Sequence, residues 1–109
     1  MTYKDLRTEL KTLKVNYVGY TTVPKNTKLP YIAVYSDGTE NDYADDGVFM
    51  EHTGYVLELY TKFKDFELEN SIKTLLSKNE IGYSITTETY LDVEKTFMVV
   101  FEFELQEVL

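Results

Sequence analysis

Cysteine and tryptophan are both missing from this 109-residue chain, histidine occurs once and proline twice. Without cysteine there is no disulfide scaffold, no thiolate metal site and no thiol nucleophile. The single histidine, His52, rules out a two-histidine metal site, and in an acidic stretch it reads more simply as a surface residue than as a base. No apolar run approaches membrane-spanning length. The N-terminus has no basic region followed by a hydrophobic one, so a soluble, cytoplasmic protein without a membrane partner is expected. Basic residues are also scarce. Eleven Lys and Arg face nineteen Asp and Glu, for a net charge of −8, the wrong sign for gripping nucleic acid through its phosphates.

Several chemical signatures are absent too. There is no Gly-x-Gly-x-x-Gly fingerprint, phosphate-binding loop or Gly-x-Ser-x-Gly elbow. The acidic stretch over residues 37–53 invites a calcium reading, but the twelve-residue pattern fails from either start. From Asp42, Ala44 and Thr53 stand at ligand positions, and from Asp37, Asp42 replaces the required glycine. No cofactor, metal or catalytic activity is expected.

What the chain does have is aromatic weight, with ten tyrosines and six phenylalanines, and an ordinary hydrophobic fraction of 43%. Tyrosine on strands reflects β-propensity and packing, and it is also enriched where protein surfaces meet. The length allows a single domain with one core, covering residues 1–109.

The central unit lies between Tyr55 and Leu76. Over residues 55–63 the pattern alternates, with Tyr55, Leu57, Leu59 and Phe63 pointing inward and Glu58 and Lys62 outward. At Asp65 the period changes to steps of three and four, through Leu68, Ile72, Leu75 and Leu76, which predicts a helix capped by Asp65 and closed by Asn79 or Gly82. A first helix is predicted over residues 3–14, with Thr2 as cap and Asp5 as the capping-box acid. Its apolar stripe is Tyr3, Leu6, Leu10 and Leu13, and Lys4, Arg7, Lys11 and Lys14 form a basic stripe beside it. That stripe is either a solvated face or a contact with an acidic partner surface, with Arg7 and Lys11 as the candidates.

Residues 17–23 have strand composition, with Gly19 as a bulge or close-approach point. Pro30 opens a near-continuously apolar strand over residues 31–36, read as interior. Residues 37–53 show no clear period and are expected to form a long loop or an open hairpin. Strands are predicted over 83–91 and 96–105, joined by a turn at 92–95 into an antiparallel hairpin. In the last of these, Phe97, Val99, Phe101, Phe103 and Leu105 make one apolar face. Met98 and Val100 make the first half apolar on the other side too, so a loop or another subunit should cover it there. The expected fold class is α+β: a mostly antiparallel sheet of about five strands packed by two helices.

Leu29-Pro30-Tyr31, Asn41-Asp42-Tyr43-Ala44-Asp45, Glu58-Leu59-Tyr60-Thr61-Lys62, Lys64-Asp65 and Phe101-Glu102-Phe103-Glu104, in this order and spacing, resemble the tail terminator proteins of bacteriophages with long non-contractile tails. These are also called tail completion or tail-to-head joining proteins. The resemblance runs over nearly the whole chain. One departure is Asp45-Asp46-Gly47, where similar proteins often carry Asp-Asn and a larger residue. The resemblance implies a structural virion protein at the head–tail junction, made in the host cytoplasm. Its subunits form a ring, usually hexameric, that caps the tail tube and meets the head connector while DNA passes through without specific binding. In such a ring Asp42, Asp45 and Asp46 are candidates to face the lumen, and Met98 and Val100 to meet a neighbouring subunit. The alternative is a small acidic DNA mimic that inhibits a host DNA-binding protein. That reading expects carboxylates spread over a whole face rather than gathered in one segment.

Overall fold

A computed structural model describes residues 1–44 and 47–108 of the chain. Two helices and five strands follow in the order α1 (Tyr3–Leu10), β1 (Val18–Tyr20), β2 (Tyr31–Ala44), β3 (Gly47–Thr61), α2 (Phe66–Lys78), β4 (Tyr83–Leu91) and β5 (Thr96–Val108). The strands form one sheet in the order β1-β2-β3-β5-β4, antiparallel except for the short parallel pair β1–β2. This is an α+β fold.

Local signals set both helix starts. The Thr2 hydroxyl accepts from the Asp5 amide at 3.1 Å and the Asp5 carboxylate accepts from the Thr2 amide at 3.2 Å, a complete capping box. Asp65 accepts from the Leu68 amide at 2.9 Å and starts α2. Helix α1 stops at Leu10, short of the predicted residue 14. The cause lies just beyond it, where Asn16 bonds to the carbonyls of Lys28, Leu29 and Pro30 and draws the chain out of the helix toward β2. Strand β1 is likewise shorter than predicted. After Tyr20 the chain bends at Thr21, whose φ is 65°, and a Cβ at Gly19 would run into the Thr22 carbonyl.

Both helices pack on one face of the sheet. Leu6 and Leu10 of α1 and Leu68, Ile72, Leu75 and Leu76 of α2 meet Ile32, Val34, Leu57, Leu59, Val99 and Phe101. Glu9 ties the helices together, taking hydrogen bonds from Asn79 at 3.1 Å and from Lys78 at 3.2 Å. Around Tyr3 the core rim is aromatic, with Tyr20 edge-on at 5.0 Å, Tyr55 stacked at 5.7 Å and Phe103 behind Tyr55 at 6.0 Å.

Of the two forms expected for the acidic stretch over 37–53, the structure has the hairpin: its described residues belong to β2 and β3, which pair from Tyr31–Tyr60 out to Ala44–Gly47, and β5 follows β3 as far as the Met50–Val108 pair. The strands thereby run past the helical layer as an arm. The molecule measures 52 × 25 × 22 Å, and its radius of gyration of 15.1 Å exceeds the ~13 Å of a compact chain of this length. A correction concerns Phe63. Strand β3 ends at Thr61, whose hydroxyl bonds to the Phe63 carbonyl at 2.6 Å, and Phe63 turns out to solvent rather than into the core.

Among the described residues, one charged side chain lies in the interior. Glu69 of α2 is 3% exposed, and its Oε1 accepts from Lys64 Nζ at 2.6 Å. Lys64 also bonds to Glu88 of β4 and lies over the rings of Phe66 and Phe97, at 5.1 and 5.6 Å. Burial pulls the Lys64 pKa down, but the hydrogen bonds to Glu69 and Glu88 outweigh it and hold the ammonium above its ordinary range. Lys64→Met strands the Glu69 carboxylate without a partner. In urea unfolding it is expected to cost about 2 kcal/mol, at the low end because Lys64 keeps some contact with water. Adding Glu69→Leu should recover most of the loss, and an unaltered midpoint in the single variant would contradict the pairing.

Candidate functional site

Strand alternation puts Tyr31, Ala33, Tyr35, Val56, Glu58, Tyr60, Met98, Val100 and Glu102 on the sheet face that neither helix covers. The register sets Tyr31 beside Tyr60, Glu58 between Ala33 and Val100, and Tyr60 beside Met98. The rings of Tyr31 and Tyr60 stack at 5.0 Å, and the Tyr60 hydroxyl donates to Glu58 Oε1 at 2.9 Å. Burial, reinforced by the Glu58 carboxylate, pushes the Tyr60 phenol far above its ordinary pKa, and burial with Glu58 also raises that of Tyr35. Ala33, Val56 and Val100 are 6%, 6% and 8% exposed beneath this rim of tyrosines. The outer face is therefore an apolar, aromatic surface with two carboxylates set into it.

Along the same face, the arm carries a second cluster. His52 of β3 reaches Asp42 of β2 through Nε2 at 2.6 Å and Glu104 of β5 through Nδ1 at 2.9 Å, so one ring ties three strands. The hydrogen bond with Asp42, then that with Glu104, raises the His52 pKa above 6.5, against a smaller opposing effect of burial. Glu40 and Gln106 are its direct cross-strand neighbours. The two carboxylates occupy opposite ring nitrogens, an arrangement that binds an imidazolium rather than a shared metal ion. Among the described residues no group of three His, Cys, Asp or Glu side chains is placed to hold a metal.

A third surface lies at the opposite end of the β2–β3 ladder. Leu29, Pro30, Lys62, Phe63, Asp65 and Phe66 line an open groove of about 480 Å³. Phe63 is 70% exposed and Phe66 69%. Lys62 sits 5.5 Å over the Phe63 ring.

The residues singled out from sequence fall on separate surfaces. Met98 and Val100 come together on the outer face, where Met98 is half-buried. Arg7 and Lys11 line a shallow pocket of about 290 Å³ on the helical side with Asn16 and Tyr17. The Arg7 guanidinium is already engaged, donating to the Val18 carbonyl from Nε at 3.3 Å and Nη2 at 3.1 Å, and so fastens α1 to β1. Asp42 lies on a strand rather than in a loop, and Asp45 and Asp46 lie outside the described residues. The tyrosine rim was not singled out from sequence, since Tyr60 comes from β3 and Tyr31 and Tyr35 from β2, and only the register brings them together. Nothing local announced the partners of His52, since Glu104 is 52 residues away.

Compared with known proteins, the chain matches no family model and no curated protein at a significant level. Among the described residues no helix is long and apolar enough to cross a membrane.

The raised His52 pKa has a definite sign. The imidazolium contributes its full cross-strand stabilisation below the unfolded value of about 6.5, and that contribution is lost as pH rises through the raised folded value. Amide protection factors at Thr39 and Thr53 of the arm are expected to fall over that window, and His52→Gln should remove the pH dependence. A ring-proton titration of His52 with its midpoint at or below 6.5 would contradict the bridge.

Proposed function

We propose that this chain is a structural subunit of a bacteriophage tail terminator: a ring, most simply of six copies, that caps the tail tube and joins it to the head connector. The observation that carries the reading is the outer face of the sheet, where Met98, Val100, Val56 and the tyrosines at 31, 35 and 60 form an apolar surface with no helix over it. An uncovered apolar sheet face favours association with another protein surface. The five sequence segments that resemble tail terminators supply the kind of assembly. Two of them, at Leu29-Pro30-Tyr31 and Glu58-Leu59-Tyr60-Thr61-Lys62, lie beside each other at one end of that face.

The chemistry fits a passive role. The sequence offers no nucleophile-and-base constellation, and the carboxylates gather on the arm. Arms turned toward a central passage would present negative charge to DNA and keep its phosphates from adhering. The same gathering disfavours the DNA-mimic alternative, which needs carboxylates over a whole face.

Met98 is mostly buried on the outer face, so Met98→Lys is expected to cost about 1 kcal/mol of folding stability, measured separately by urea unfolding. It should weaken self-association, followed by sedimentation velocity, by about tenfold or more, and reduce capping of terminator-deficient tails in parallel. A wild-type chain that stays monomeric and also fails to bind uncapped tails would overturn the reading. Binding of the monomer to a DNA-binding protein would favour the mimic instead.

A further inference from the structure

We propose that the basic pocket between α1 and β1 seats the arm of a second copy of this chain, with Arg7 and Lys11 meeting the carboxylates of Glu51 and Glu107. The inference rests on the ring reading for self-association and names a pair of surfaces that the reading leaves open.

The pocket has one sign of charge. Arg7, Lys11, Val15, Asn16, Tyr17 and Val18 line it, two cations and no carboxylate. Arg7 spends Nε and Nη2 on the Val18 carbonyl, and its Nη1 has no hydrogen-bond partner among the described residues. Lys11 is exposed, and neither side chain forms an ion pair among those residues. The two acids of α1 are occupied elsewhere. Asp5 closes the capping box with Thr2, and Glu9 accepts from Asn79 and Lys78. Beyond the helix the chain holds no Asp or Glu from Lys11 to Ser36.

The arm presents the opposite case. Asn41, Glu51 and Glu107 stand side by side across β2, β3 and β5, and alternation puts Glu51 on the same side of β3 as Leu57 and Leu59. Like charges directly opposite each other on neighbouring strands are destabilising. Neither carboxylate has an ion-pair partner among the described residues. His52, one position along, faces the other side of the sheet and is taken up by Asp42 and Glu104. Two acids without a cation thus match two cations without an acid.

The match cannot be made within one chain. Val18 of the pocket pairs with Ile32 of β2, whereas Glu51 pairs with Asn41, nine residues further along the same strand. At about 3.3 Å per residue that separation is ~30 Å, beyond the reach of any side chain. The contact therefore joins two copies through two different patches, as a head-to-tail ring requires. Helix α1 of one copy lies against the arm of the next on the face that its own helices leave bare, and the opposite charges fix which surfaces meet.

Charge exchange between two samples tests the assignment. Lys4→Glu with Lys11→Glu turns the exposed stripe of α1 acidic while keeping the Arg7 anchor. Glu51→Lys with Glu107→Lys turns the arm face basic and leaves the His52 bridge in place. Circular dichroism melts verify that both variants fold. By sedimentation at low ionic strength, where exposed charges are least screened, each variant alone is expected to associate about tenfold more weakly than wild type. An equimolar mixture should restore association, since both of its arm-to-pocket pairings are again opposite in sign. Wild-type behaviour of either variant, or a mixture no better than its components, would overturn the seat while leaving the ring reading intact. So would a pocket variant that self-associates normally yet loses binding to uncapped tails, since the occupant would then be another protein. A wild-type chain that does not self-associate even on tails would overturn both.

Discussion

Strand β3 is hydrogen-bonded along both edges for nearly its whole length, yet only its second half lies over a core. Between Tyr55 and Thr61 it contributes Leu57 and Leu59 to the interior beneath α1 and α2. From Gly54 back toward Gly47 no helix lies above it, and the same strand continues on its ladders with β2 and β5. One continuous backbone therefore fixes both a conventional α+β body and an arm that projects from it. Position along the long axis, and so the separation of acidic arm from aromatic groove, follows from that continuity.

The arm has little besides the ladder to hold it. Glu51 and Glu107 stand directly opposite each other on it, and like charges a few ångströms apart repel through water that screens them only partly. His52 offsets this by placing one cation between Asp42 and Glu104. The cross-strand Thr39–Thr53 hydroxyl pair at 3.1 Å adds a neutral tie on the other face. Elsewhere positive charge is spent locally: Arg7 on a carbonyl, Lys64 on a buried carboxylate and Lys78 on Glu9. The net charge of −8 is thus unevenly distributed, with carboxylates concentrated on the arm and lysines spread over the helices and turns.

How much of this was legible in the sequence depended on how local each signal was. The Thr2–Asp5 capping box, the Asp65 cap, the 92–95 turn and the alternation of Phe97 to Leu105 are each written within a few residues, and each has its structural counterpart. The segment over 37–53 was left between a long loop and an open hairpin because its polar and apolar residues do not alternate, and the strand period is legible only where they do. Phe63 was placed inward because the alternation was extended two residues too far, past the point where Thr61 ends the strand. For the candidate surfaces, Met98 and Val100 stood out as apolar residues on a face that Glu102 and Glu104 return to water. The bridge at His52 and the anchoring of Arg7 join residues far apart in sequence, and one of the partners is a main-chain carbonyl, which no side-chain pattern records.

The proposed assembly is a closed ring in which each copy meets the next. Electron microscopy of the assembled protein, alone or on uncapped tail tubes, measures that directly through its rotational symmetry. The account predicts closed rings, most simply six-fold, with every subunit making the same non-reciprocal contact to the next. Two-fold dimers joined through one self-complementary patch would contradict it.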